Sequence, residues 1–254
     1  MMASGETKPR RAIAIEYADD NLVIAVKPQG IETTSVGVDK KQNKTGGAAG
    51  SNSAPKTFHT LLEAELKIKL FAVHRLDTNT EGLIIFAKTP IAQKELERAF
   101  KDGEIKKTYE AVCDLEKSTI SIAALKSRGG VTLDGWLTKD STRGLVRITN
   151  KKLPGAQKCV TVVRFARALG GLSLLEINPQ TGRTHQIRAH LASCGISILG
   201  DGKYGDFKLN RDYNQKRQQL FATKIEFALA PTSPLFYLNA AAHPKHTPNL
   251  AVPS

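Results

Sequence analysis

Between residues 74 and 82 the chain reads His74-Arg75-Leu76-Asp77-Thr78-Asn79-Thr80-Glu81-Gly82. An imidazole, a guanidinium and a carboxylate this close together supply a proton carrier, a charge partner and a nucleophile or base. Asp77 is the candidate for the chemistry. The same residues also fit a structural role, with Asp77 and Thr80 in an Asx-type turn and Arg75 paired to Asp77. About a hundred residues on comes a second group, Thr181-Gly182-Arg183-Thr184-His185-Gln186-Ile187-Arg188-Ala189-His190-Leu191-Ala192. Arg183, His185 and Arg188 gather at the start of a predicted helix, where free amides and the macrodipole favour anions. The arginines suit a phosphate, and equally a structural carboxylate. His185 and His190 do not share a helix face as the two histidines of H-E-x-x-H do, so no metal site is predicted.

Other elements must hold these groups in place. Leu83-Ile84-Ile85-Phe86-Ala87, bounded by Gly82 and by Lys88 and Pro90, predicts a strand buried on both faces, with the Asp77 cluster in the loop that enters it. Asn21 to Lys27 predicts another buried strand, closed by Pro28-Gln29-Gly30. Leu61, Leu62, Leu66 and Leu70 predict an amphipathic helix over residues 58–70. A second helix is predicted over 91–100, with Ile91, Leu96, Ala99 and Phe100 inward and Gly103 just past its end. Ile105 to Cys113 predicts a strand with Lys107, Tyr109 and Ala111 on one face, so Tyr109 points with the more apolar set. Val146 to Thr149, Cys159 to Ala168 and Leu172 to Asn178 are further strands, the last two joined by the hairpin signal Gly170-Gly171. Ile187, Leu191 and Cys194 are predicted to face inward from the arginine helix. Residues 36–57, almost without apolar side chains, predict a flexible loop, and 240–254 an irregular tail whose His243 and His246 face solvent.

A chain of 254 residues with 41% hydrophobic and 24% charged content fits a soluble globular protein, read as a single domain with its core over about 13–238. Its net charge of +13 is unevenly spread: from Lys117 to Leu175 there are eleven Lys or Arg against only Asp134 and Asp140. Such a concentration is the footprint of a polyanion partner, and Arg128, Arg143, Arg147, Arg164 and Arg167 suit bidentate phosphate contacts. Cys113, Cys159 and Cys194 are far apart and unpatterned, which suggests neither a disulfide framework nor a zinc site and fits a reducing cytoplasm. No apolar stretch has the length of a secretory h-region or a membrane span.

Taken together, His74-Arg75-Leu76-Asp77-x-x-Thr80-x-Gly82-Leu83, Lys107-x-Tyr109-x-Ala111 and Gly182-Arg183-Thr184-His185-Gln186-Ile187-Arg188-x-His190-Leu191 resemble the RluA/RluD-type pseudouridine synthases. Val26-Lys27-Pro28-x-Gly30 and Ile198-Leu199-Gly200-Asp201-x-x-Tyr204-Gly205 resemble two further stretches of that family, so the likeness spans about residues 15–230. The resemblance implies an α+β fold, a mixed and mainly antiparallel sheet flanked by helices, with the active-site cleft over the sheet. It implies an isomerase that detaches uracil from C1′ in RNA, rotates it and rejoins it through C5, without cofactor or metal. Asp77 matches the family's catalytic aspartate, Tyr109 the tyrosine that stacks on the target base, and Arg188 the basic partner of the aspartate. Arg75 matches the residue that fills the space left by the flipped nucleotide. His74, Thr80, Lys107, Arg183, His185, Gln186 and Ile187 are implied to contact RNA. Ribosomal RNA is the first expected substrate and transfer RNA the second, with the protein a monomer. A non-catalytic RNA-binding or ribosome-assembly factor is the alternative on the same scaffold, and a nuclease reading lacks the acidic metal cluster such chemistry uses.

The chain also departs from its relatives. The family pattern after the aspartate ends Asp-Thr-Ser-Gly, whereas here it is Asn79-Thr80-Glu81-Gly82, and Glu81 is expected to point into solvent. Phe221 stands where many members carry histidine. The residues before Asn21 are too few for the S4-type domain that many members carry.

Overall fold

The computed structural model describes residues 12–35, 56–140, 142, 144–241 and 244–250. Almost all of the predicted 36–57 loop, and Arg143 and His243, lie outside the described residues. In chain order the elements are β1 (Ile15–Ala18), β2 (Leu22–Lys27), α1 (Phe58–Leu66), β3 (Phe71–Ala72), β4 (Glu81–Ala87), α2 (Pro90–Lys101), β5 (Ile105–Asp114), α3 (Ile122–Lys126) and β6 (Val131–Asp140). There follow β7 (Leu145–Thr149), β8 (Gln157–Leu169), β9 (Leu172–Pro179), α4 (Gln186–Ser193), β10 (Ser197–Ile198), α5 (Phe207–Asp212), β11 (Leu220–Phe227) and α6 (Leu238–Ala241). The strands form one sheet in the order β1-β2-β4-β11-β5-β9-β8-β6-β7, with β3 added to β4 and β10 to β5. Every pairing is antiparallel except β11 with β4. This is the expected α+β architecture.

Alternation along β2 and β4 divides the interior into two cores. Val23, Ala25, Ile84 and Phe86 face one way and bury against Phe58 and Leu62 of α1. Leu22, Ile24, Leu83, Ile85 and Ala87 face the other way and bury against Ala92, Leu96 and Ala99 of α2. The continuous apolar runs are thus central strands covered on both sides. Helix α2 starts where predicted, with the Thr89 side chain capping the Ala92 amide at 3.1 Å and Pro90 in the first turn. Ile91 is not inward as expected but 73% exposed, because Ala92, Leu96 and Ala99 form the buried row and Ile91 sits beside it, with the polar Lys94 and Glu95 one turn on. Helix α1 stops earlier than predicted, at Lys67 in the left-handed conformation, and Leu70 is buried from the segment after it.

Gly170 and Gly171, with φ of 48° and 86°, make the two-residue turn between Leu169 and Leu172 that their sequence predicts. Strand β6 was not anticipated. Its inward residues Leu133, Gly135 and Leu137 alternate with Asp134, Trp136 and Thr138, a pattern that one glycine and two polar residues obscure. The expected tail begins within α6, which reaches Ala241, and its described part does not project freely: His246 donates its amide to Thr223 O at 2.8 Å, and Leu250 packs on a small apolar cluster.

The feature that opens a cleft is a fork in the sheet. Strand β5 pairs with β9 only from Tyr109 to Cys113, whereas its first residues, Ile105 to Thr108, pair with β11 alone. Past Tyr109 the two strands diverge. Asn178 spans the gap, donating to Thr108 Oγ1 at 2.9 Å while accepting from Arg164 at 2.8 Å.

Candidate active site

The loop that carries Asp77 runs from β3 to β4 and is tied at nearly every residue. Ile85 N donates to His74 Nε2 at 2.9 Å, Thr33 Oγ1 exchanges hydrogen bonds with both main-chain groups of Leu76 at 3.1 Å, and Gly30 N donates to Thr78 O at 2.9 Å. Lys27 is fully buried, and its ammonium donates to the carbonyls of Pro28, Ile31 and Thr78 at 2.9–3.1 Å. Burial pushes Lys27 down to about 8, while Asp77 and Glu81 oppose the shift. Gly82 closes the loop with φ of 123°, so near to β11 that a Cβ would lie 2.2 Å from Ala222 O. Only glycine fits there.

All eleven residues singled out from the sequence line one cleft of about 880 Å³ at the fork. Their side chains do different things within it. Arg188, at the start of α4, gives Nε and Nη2 to Asp201 at 2.7 and 2.8 Å and Nη1 to Asp77 at 3.3 Å. The Asp77 pairing is thus with Arg188 from far downstream, and Arg75 makes no ion pair among the described residues. His185 approaches the same carboxylate oxygen of Asp77, with Nε2 at 4.0 Å, and has Nδ1 3.0 Å from Tyr204 OH. Tyr109 forms the floor, 7% exposed. Arg75 and Arg183 are exposed at the rim. Thr80 and Gln186 turn their polar atoms away from the opening. Thr80 Oγ1 accepts from Gln218, and Gln186 bonds Thr181, Val160, Thr161 and the Arg183 amide, so it fastens the turn before α4. Ile187 reaches the cleft from the core between the sheet and α4.

Two residues of the site escaped the reading of single motifs, Asp201 and Tyr204. Asp201 is fully buried and also accepts the amides of Lys203 and Tyr204 at 2.8 and 3.0 Å. Burial would raise its carboxyl, but the Arg188 guanidinium and these amides outweigh that and hold it below the usual range. The Tyr204 ring lies 5.0 Å from the guanidinium, and its hydroxyl accepts from Val146 N at 2.8 Å. The signal for both was Asp201-x-x-Tyr204, quoted for its likeness but given no role. Burial lowers His185 and His74 and keeps both neutral, and burial together with the Asp77 charge raises the Tyr109 phenol. The cleft therefore holds a carboxylate fixed against one permanent cation, a flat aromatic floor and neutral imidazoles.

This arrangement has relatives. A family profile described as RNA pseudouridylate synthase matches residues 21–193. The chain belongs to the RNA pseudouridylate synthase family. It is an isomerase of RNA uridines. The synthase is 32% identical over 240 residues to an uncharacterized RNA pseudouridine synthase of Bacillus subtilis, covering 93% of this chain and 70% of that one. It is 30% identical to another in Zymomonas mobilis, covering 89% and 93%. A ribosomal large subunit pseudouridine synthase C of Rickettsia conorii is 34% identical over 191 residues, and the synthase spans 55% of its length. Among solved structures, human RNA pseudouridylate synthase domain containing 1 shares the fold, with a TM-score of 0.64 at 20% identity over 95% of this chain and 92% of that one.

Two expectations need correction. Glu81 does not point into solvent: its carboxylate lies 3.3 Å from His246 Nε2 of the tail, and that contact holds it below the usual carboxyl range. His246 is accordingly no exposed filler but 15% exposed against β11. Of the basic segment, Val162 and Arg164 line the cleft. The segment folds into α3 and β6–β8, and Lys117, Arg147, Lys158 and Arg164 are paired with Asp206, Asp140, Asp134 and Glu176. Two of those carboxylates come from outside the segment, which a local charge count does not see.

Proposed function

We propose that this synthase converts uridine to pseudouridine in structured RNA, with ribosomal RNA the first substrate class and transfer RNA the second. The observation that carries the reading is Asp77 presented by Arg188, which is itself locked by Asp201, in the cleft that Tyr109 also lines. The names of the Rickettsia relatives as large-subunit enzymes support the ribosomal choice.

A base within a stacked helix cannot be turned in place, so the target nucleotide leaves the stack at a cost of a few kcal/mol. Its uracil rests on Tyr109, which offers a flat apolar face. Arg188 holds Asp77 in place, and the carboxylate acts at C1′ as the bond to N1 breaks. The freed base turns and C5 bonds to C1′. The hydrogen on C5 is lost and N1 gains one, so atoms balance and no oxidant or reductant is needed. Arg75, exposed at the rim and in no ion pair among the described residues, takes the vacated place in the RNA stack. Trp136, with Lys152 and Lys158 at 5.3 and 5.4 Å from its ring, offers an outer platform for RNA beside the cleft. The three cysteines, free in this fold, support a reducing cytoplasm as its place of action.

Mapping pseudouridine in total RNA from cells with and without the gene tests the reading. Loss of one or a few ribosomal sites, restored by the wild-type gene, is expected. Loss confined to transfer RNA moves the substrate class, and an unchanged map contradicts the proposal.

A further inference from the structure

Lys107 is a half-buried cation of the cleft that pairs with no carboxylate among the described residues. It sits two residues before Tyr109 on the forked part of β5, with its ammonium 5.1 Å from the Phe100 ring. Across the fork, a Cβ built on Gly182 would lie 3.9 Å from that nitrogen. The cations nearest the Asp77 loop and α4 are provided for. Arg188 is neutralised by Asp201 and Asp77, Lys27 donates to three carbonyls, and Arg75 and Arg183 reach water. Lys107 is only partly open to water, and no carboxylate pairs with it among the described residues. Burial drives it down to about 8, and its charge helps keep the neighbouring His74 neutral. A desolvated ammonium without a partner opposes folding, and a chain that takes a polyanion tolerates it where that anion arrives.

Resting on the isomerase reading above, we propose that Lys107 Nζ grips a non-bridging phosphate oxygen of the flipped nucleotide itself. The reaction gives this contact a purpose. While the base is detached and turning, C1′ must stay where Asp77 can act on it, and only the backbone phosphates still hold the sugar. One charge-assisted bond from the wall of the fork fixes that sugar, and the side chain of Gly182 is missing where the phosphate would pass.

Binding of uridine, uridine 5′-monophosphate and uridine 3′-monophosphate to wild type, Lys107→Met and Lys107→Arg, followed by NMR titration, tests this. Wild type is expected to prefer one monophosphate over uridine by about tenfold or more, as one bond to a charged group gives. Lys107→Met, which keeps the apolar stem over Phe100, should erase that preference and leave uridine binding as it was. Lys107→Arg should keep it. A preference unchanged in Lys107→Met overturns the proposal, as does the absence of any preference in wild type or an equal loss for all three ligands. The isomerase reading fails separately: if wild type releases no C5 hydrogen from RNA while Lys107→Met still erases the phosphate preference, the anion site stands without it.

Discussion

Asp201 grips Arg188 through both carboxylate oxygens, at 2.7 and 2.8 Å, and leaves one guanidinium nitrogen for Asp77 at 3.3 Å. The tighter partner is the one that never meets substrate. Asp201 is fully buried and Asp77 is not, so the arginine is fixed from beneath and its remaining donor is aimed rather than free. Asp201→Asn should therefore cost about 3 kcal/mol of stability, because it leaves a buried cation with half its compensation. It should also lower turnover by about a hundredfold or more, since Asp77 loses a fixed partner. Urea unfolding and single-turnover assays on the soluble fraction check both effects; full activity in Asp201→Asn would show that Asp77 needs no such support.

Gly82→Ala should be far more damaging than its size suggests. A methyl group there meets Ala222 O at 2.2 Å and asks an L-residue to hold φ of 123°. The close approach is the parallel pairing of β4 with β11, which sets the start of the strand below Asp77. A loss of more than about 3 kcal/mol, or failure to accumulate soluble protein, is expected. Near-wild-type thermal unfolding would contradict the tight pairing.

His190 predicts an acid weakness. It is 1% exposed, with Nδ1 2.8 Å from Thr161 Oγ1 and Nε2 3.5 Å from Cys159 Sγ, and burial lowers it to about 4. The unfolded chain takes up a proton near 6.5 that the folded chain refuses until about 4, so stability falls as pH drops through that window and levels off below it. The loss reaches about 3 kcal/mol at 1.36 kcal/mol per pH unit. Denaturation midpoints between pH 7 and 4 should show the decline, and His190→Gln should flatten it by a similar amount. An equally steep decline in that variant would assign it to other groups.

Glu81 and His246 join the active-site strand to the tail. Because the Glu81 carboxyl is lowered, its contribution is complete above the ordinary carboxyl range and is lost as pH falls through its lowered value. Both groups are partly open to water, so a double-mutant cycle of Glu81→Gln with His246→Gln should give a coupling of only about 0.5–1 kcal/mol at pH 6. Strictly additive losses would mean that the contact is incidental.

How far the sequence revealed this depends on the range of the physics involved. The buried runs of β2 and β4, the Gly170-Gly171 turn and the gathering of Arg183, His185 and Arg188 are local patterns, and each was legible. The Asp77–Arg188 pairing was legible only through the family resemblance, since 111 positions separate the partners. Other features depend on what folds alongside. Ile91 looked inward until the row through Ala92 fixed the helix's rotation. Glu81 looked solvent-bound because its partner lies 165 positions away. The fork between β5 and β9, which creates the cleft, leaves no local trace, because a strand that loses one neighbour while keeping another has the same alternation throughout.

The most direct test of the account follows hydrogen release from C5 of uridine-labelled ribosomal RNA by wild type and Asp77→Asn, alongside RNA binding and thermal unfolding of both. Wild type should release it, and Asp77→Asn should bind and fold normally with release abolished. Continued release by Asp77→Asn would contradict the account, and so would RNA binding by wild type without any release.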